Sequence, residues 1–176
     1  MLDLADSLGA HAQDLADLSQ RLGHYPQVIL AGRAINDGMG DYVAKSIGEA
    51  LASRGHATGA RILVLGLTFK ENVPDLRNSR VIDIVRGLER LGHKADVYDP
   101  LADAREAREE YGVCLLDSLS GAGTFTCIVG AVAHRCFLEM SAATLSQLVA
   151  ANGLIADVKG MWRTTELPAT IGRWSL

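Results

Sequence analysis

Little in this chain points to a membrane, a nucleic acid or a disulfide framework. No apolar run approaches the roughly 20 residues that a membrane helix needs. The opening MLDLADSLGAHAQDL has neither a basic start nor a continuous apolar stretch, so it does not read as a signal peptide. Basic residues are not in excess: 17 Lys and Arg stand against 21 Asp and Glu, a formal charge of -4. Nucleic acid and anionic membrane surfaces are therefore poor candidate partners. The three cysteines, Cys114, Cys127 and Cys136, are odd in number and show no Cys-x-x-Cys spacing. Cys127 sits in an apolar run and reads as a small buried hydrophobe. This usage fits a reducing cytoplasm. No His–Cys–carboxylate cluster has metal-ligand spacing, and no Gly-x-Gly-x-x-Gly occurs.

What is present belongs to a globular α/β protein. Apolar residues make up 48% of the chain and charged residues 22%, and 176 residues suit one domain with an appended helix or arm. Leucines at mixed helical spacings predict a helix over residues 1–23, and His24-Tyr25-Pro26 breaks it. A longer helix is expected from Val28 to Ser53, with Ile35, Met39, Tyr42, Val43, Ile47, Ala50 and Leu51 on one face. Gly38 and Gly40 each cost that helix about 1 kcal/mol against alanine, so close packing is expected to offset them. Gly55 is the expected C-cap. Residues 1–54 thus form a helical region and 55–176 a second domain.

That second domain alternates strand and helix. Arg61–Leu67 is a continuous apolar run, as in a parallel strand buried on both faces. A helix over 79–91 follows, capped by Asn78 or Ser79. Ala95–Tyr98 is a short strand stopped by Asp99-Pro100, 102–110 a charged exposed helix, and Phe125–Gly130 a buried strand. A helix around Ala142–Ala150 and a strand Leu154–Asp157 complete the pattern, and 161–176 reads as irregular. Such alternation implies a parallel sheet with helices on both faces.

In a sheet of this kind, ligands bind beyond the carboxyl ends of the strands. The first strand ends in Gly66-Leu67-Thr68-Phe69-Lys70-Glu71-Asn72-Val73-Pro74-Asp75-Leu76-Arg77-Asn78-Ser79. The three glycines of a dinucleotide loop are missing. The loop offers instead an aromatic ring, Phe69, and two cations, Lys70 and Arg77. A ring covers a base or sugar face, and lysine and arginine meet phosphate oxygens. The competing reading is of solvated loop charges, with Asp75 paired to Arg77. His134 either touches ligand or makes a structural hydrogen bond. Arg33 and Asn36 cap the long helix, bridge a dimer or reach substrate. Asp99 shapes a turn, Trp162 and Trp174 anchor packing, and Asp103 and Asp117 belong to a solvated face.

The segment from Gly66 to Arg80 resembles the C-terminal domain signature of the UDP-glucose/GDP-mannose dehydrogenase family. Its Glu71-Asn72 and Pro74-Asp75-Leu76-Arg77-Asn78-Ser79 are similar to the bacterial branch acting on UDP-N-acetylhexosamines. Tyr25–Gly40 resembles the entry to the family's central helix. Asp96–Pro100, Ala131–Phe137 and Asp157–Gly160 fit downstream, so the resemblance covers about residues 24–162.

The resemblance implies a Rossmann-like domain on each side of a central helix, which here spans 28–53 and builds a homodimer. It implies that an N-terminal domain, absent from this chain, holds NAD, and that this domain holds the UDP portion of a UDP-sugar. It places Phe69 and Lys70 against the nucleotide sugar and Arg77 nearer the NAD. Lys159 stands where other members carry arginines for the nucleotide sugar. The family oxidises the sugar C6 twice, through a cysteine in a Gly-Gly-x-Cys context that this chain lacks. No catalytic residue is therefore assigned. The resemblance makes the chain a C-terminal piece of a UDP-sugar 6-dehydrogenase for polysaccharide precursors. The alternative is a non-catalytic UDP-sugar-binding or dimerisation module. A receiver-like signalling domain would need a phosphorylatable aspartate at the end of the first strand, where Gly66-Leu67-Thr68 stands instead.

Overall fold

The computed structural model describes the backbone of residues 27–176 and the side chains from Gly38 onward. The helix expected over 1–23, the break at His24-Tyr25-Pro26 and the side chains of Arg33, Ile35 and Asn36 lie outside the described residues. The chain divides into two units, Met1–Met39 and Gly40–Leu176. The second begins inside the long helix α1, Gln27–Ser53, earlier than the boundary after residue 54 read from sequence. Val43, Ala44, Ile47 and Leu51 belong to the core of this unit, which is the reason.

Ten elements order the described chain. After α1 come β1 (Arg61–Leu65), α2 (Val81–Arg90), β2 (Lys94–Tyr98), α3 (Ala104–Tyr111) and β3 (Phe125–Gly130). Then follow α4 (Arg135–Leu138), α5 (Ala142–Leu148), β4 (Val149–Asp157) and β5 (Gly172–Ser175). All strands are parallel, in the order β2-β1-β3-β4-β5. Strand period 2 sends Ile62 and Val64 to one face, where they pack with α1, α2 and Ala107 of α3. Leu63 and Leu65 go to the other face, with Phe137 of α4, Leu145 and Leu148 of α5, and Trp162. The α/β sheet with helices on both faces is thus present.

Local chemistry explains the boundaries. α1 ends in a Schellman motif: Gly55 takes φ +89, the His56 amide donates to the Leu51 carbonyl and the Gly55 amide to Ala52. Small residues let α1 and α2 meet closely. A Cβ on Gly40 would lie 2.4 Å from the Asp83 Cβ, one on Gly87 2.5 Å from the Ala44 Cβ, and one on Gly48 2.8 Å from Leu91. These residues recur every four positions on both helices, so one ridge fits the other. Among the described residues nothing lies within 4 Å of a Cβ on Gly38, and the close packing expected of both glycines is seen at Gly40. At the start of α2, the cap position is Arg80, which makes no side-chain cap bond. The Ser79 hydroxyl, one residue earlier, accepts from the Val81 amide and donates to the Leu67 carbonyl.

Two sequence expectations change. The tail read as irregular carries β5, a short edge strand too polar in Gly-Arg-Trp-Ser to announce itself by pattern. The apolar stripe of α1 read as a dimer face splits. Val43, Ile47 and Leu51 are fully buried against this chain's own sheet, while Met39 and Tyr42 stay exposed.

Candidate functional site

The five strands end in one level row. Tyr98 pairs with Leu65, Leu65 with Gly130, Gly130 with Asp157, and Asp157 with Ser175. The following loops therefore leave from the same edge. Chain direction across the sheet reverses between β1 and β3, and such a switch point opens a crevice at the carboxyl ends. The loop after β1 and the loop after β3 flank it.

The loop after β1 has a fixed root and an exposed tip. Gly66 turns it at φ +94, with the Val132 side chain filling the place of a Cβ at 2.5 Å. Leu67, Thr68, Leu76 and Ser79 are buried. The Phe69 amide donates to the Asp75 carbonyl at 2.8 Å and closes the loop. The Tyr111 hydroxyl donates to the Leu76 carbonyl. Phe69 and Val73 stand outward, each 42% exposed.

Beneath the tip lies a buried polar cluster centred on Asp99. One carboxylate oxygen accepts from the Leu67 amide at 2.6 Å, the Thr68 amide at 2.9 Å and His134 Nε2 at 3.0 Å. The other accepts from the amides of Leu101 and Ala102. Burial raises the Asp99 pKa, but the bonds from His134 and the Leu67, Thr68 and Leu101 amides outweigh it and hold the carboxyl well below its usual range. His134 Nδ1 accepts from the Asn72 amide at 2.9 Å, so the ring is the neutral Nε2–H tautomer. The Asn72 side chain in turn accepts from the Arg135 amide at 2.9 Å. His134 is fully buried, which selects the structural hydrogen bond over ligand contact. Asp99 does shape its turn, and it also joins the ends of three strands. Sequence reasoning missed this. An Asp-Pro after one strand and a histidine after another were visible, but only the strand order makes them neighbours of the β1 loop.

The four residues singled out from sequence stand as follows. Lys70 is half-buried, with Nζ 5.7 Å from the Phe69 ring centroid. Arg77 is exposed and its guanidinium grips Asp75 at 2.9 and 2.8 Å. That pairing lowers the Asp75 pKa to about 2, through the side-chain bond first and the Arg77 amide second, with Lys70 adding to it. Phe69, Lys70, Asp75 and Arg77 thus form one group. Lys159 is exposed on the loop after β4, separated from β1 by β3, or about 10 Å along the edge. Asp157 anchors that loop by accepting from the Met161 and Trp162 amides. The Trp162 indole donates to the Phe137 carbonyl at 2.9 Å, a packing anchor as expected.

The edge can present a flat ring and cations to a phosphorylated ligand. A dinucleotide does not fit it in the same way. The one glycine at the β1 turn is covered by Val132 and cannot admit a pyrophosphate, and the Arg77 fork is filled by Asp75. Among the described residues no group of three or more His, Cys, Asp or Glu could hold a metal ion. No described helix is long and apolar enough to cross a membrane.

Comparison with known proteins identifies the family of the domain that carries this edge. The model of the UDP binding domain of the UDP-glucose/GDP-mannose dehydrogenase family matches residues 63–164. The chain is 42% identical to the UDP-N-acetyl-D-glucosamine 6-dehydrogenase of Pseudomonas aeruginosa, over 86% of this chain and 36% of that protein. It is 41% identical to the enzyme of the same name from Salmonella typhi, over 76% of this chain and 31% of that protein. The chain therefore spans about a third of the length of these relatives. Among solved structures, a UDP-glucose dehydrogenase from Pyrobaculum islandicum superposes with a TM-score of 0.68 at 21% identity. That match covers 92% of this chain and 35% of the other, and shows a common fold.

Proposed function

The chain belongs to the UDP-glucose/GDP-mannose dehydrogenase family, and from that premise we propose that it is the UDP-sugar-binding part of an NAD-dependent nucleotide-sugar 6-dehydrogenase. The observation that carries the reading is the loop at the switch point, whose buried root presents an exposed Phe69, with Lys70 half-buried near its ring and Arg77 beside them. Phe69 covers a ring of the nucleotide sugar. Lys70 meets the diphosphate as a point charge in a half-buried setting, where an ion pair is screened less than in open water. Lys159 adds a cation from the loop after β4.

NAD is held by a separate domain of the enzyme, and Arg77 approaches it from this side, exchanging part of its pairing with Asp75. The redox step belongs to that other domain, and the UDP-sugar-binding part by itself turns over nothing. The protein works in the cytoplasm on precursors of polysaccharides and pairs with a second copy through the exposed face of α1, where Met39 and Tyr42 lie.

Amide shifts of the isotope-labelled chain during UDP titration test the reading. They should concentrate on Phe69–Arg77, His134–Arg135 and Val158–Gly160. Shifts confined to other parts of the fold, or none with UDP in millimolar excess, would overturn it.

A further inference from the structure

The Phe69–Lys70 segment is fastened from below at two points by one side chain. His134 reaches from the β3 loop, completely buried, and uses both ring nitrogens on the β1 loop and its anchor. Nε2 lies 3.0 Å from the Asp99 carboxylate and 3.1 Å from the Thr68 hydroxyl, which itself donates to the Lys70 carbonyl at 3.0 Å. Nδ1 receives the Asn72 amide at 2.9 Å. The tied positions, 68 and 72, bracket Phe69 and Lys70. Asn72 holds a left-handed φ of +61, so its place is specified rather than relaxed. Its side chain returns to the β3 loop through the Arg135 amide.

We propose that His134, joined to Asp99 and Asn72, is the positioning residue that sets Phe69 and Lys70 for the diphosphate of the nucleotide sugar. The inference rests on the reading of this loop as the UDP-binding element. His134 itself stays under the loop and touches no ligand. Its role is to fix the tip before the ligand arrives, so that binding does not have to order the tip.

The two ring nitrogens can be tested separately. In His134→Gln the amide nitrogen takes the place of Nε2 and keeps the bond to Asp99, but the tie to Asn72 is lost. In His134→Asn the amide oxygen takes the place of Nδ1 and keeps Asn72, but Asp99 is left one donor short. UDP affinity by calorimetry and unfolding midpoint by thermal melt are read on each. The expected results cross. His134→Gln weakens UDP binding roughly three- to tenfold, the loss of one neutral hydrogen bond, with the larger share of stability kept. His134→Asn binds UDP more tightly than His134→Gln and melts lower. A purely structural histidine would order the two variants alike in both measurements, and that result would overturn the proposal.

Asn72→Gly gives a second route on the exposed tip. Glycine tolerates the positive φ, so the variant folds and loses only the tie to Arg135. It should also weaken UDP binding, and wild-type affinity there would count against the proposal. Combining His134→Gln with Lys70→Ala tests whether one acts through the other. The double variant should lose less affinity than the two single losses combined, the remainder being the share that Phe69 carries, whereas fully additive losses refute positioning. If Lys70→Ala binds UDP like wild type, the function reading itself fails, an outcome distinct from the failure of His134 alone.

Discussion

Three glycines on one helix give opposite expectations for the same substitution. Alanine in place of glycine stabilises a helix interior by about 1 kcal/mol. At Gly38 no described residue lies within 4 Å of the new methyl group, so Gly38→Ala should show that gain, raising the melting temperature by about 2–4 °C. At Gly40 the methyl would stand 2.4 Å from the Asp83 Cβ and 3.3 Å from its carbonyl carbon. Carbon atoms rest at about 3.5–4.0 Å, so α1 and α2 must separate along a ridge that also packs Ala44 against Gly87. Overpacking of this kind costs about 1–3 kcal/mol and outweighs the helix gain. Gly40→Ala should therefore melt below Gly38→Ala by several degrees, and at or below wild type. At Gly48 the obstacle is the far end of Leu91, which can turn away, so Gly48→Ala should fall between the two. Thermal melts of the three variants at one protein concentration decide the matter. A Gly40→Ala protein as stable as Gly38→Ala would refute the close contact of the helices.

Three further outcomes are expected. Asp99→Asn puts an amide donor among five donors, so at least one donor must be left facing it. Urea unfolding should show a loss of about 1.5–3 kcal/mol, in the range for a buried hydrogen bond to a charged group, and wild-type stability would contradict the hydrogen-bond assignment. Burial lowers the His93 pKa below its usual 6.5, its Nδ1 accepts from the Ala60 amide, and its Nε2 has no partner among the described residues. The neutral ring is favoured in the folded state, so this contribution is full above pH 6.5 and is lost as pH falls through the lower folded value. Urea melts of wild type and His93→Gln should diverge above that range and converge below it, and parallel curves would exclude His93. Cys127 is buried and burial pushes its thiol pKa upward, whereas Cys114 and Cys136 are exposed. A disulfide reagent should therefore modify two thiols in the native chain and the third only on unfolding. Rapid reaction of all three would contradict the burial of β3.

Much of the architecture was legible because period and punctuation agree. Arg61–Leu65 and Phe125–Gly130 announce buried parallel strands by unbroken apolar runs, and Gly55 announces the end of α1. The glycine-poor loop with Phe69, Lys70 and Arg77 was legible as an anion-binding candidate, and so was the competing Asp75–Arg77 pair that forms. What stayed hidden depends on tertiary neighbours. The stripe of α1 could not say that Val43, Ile47 and Leu51 face this chain's own sheet. β5 does alternate, with Gly172 and Trp174 half-buried and Arg173 and Ser175 exposed, but four residues with one large apolar side chain are too few to mark a strand. The Asp99–His134–Asn72 cluster joins residues up to 62 positions apart. It exists only because β1 lies between β2 and β3, an order that no local pattern encodes.

The central claim is that Lys70 meets the diphosphate of a UDP-sugar. UDP titrated by calorimetry into the wild-type chain and into Lys70→Ala tests it most directly, with melts of both proteins alongside. A charge-assisted hydrogen bond contributes roughly 1.5–3 kcal/mol, so the variant should bind UDP about ten- to a hundredfold more weakly and melt with the wild type. Equal affinity in the two proteins, or a variant that loses binding only because it has lost stability, would contradict the claim.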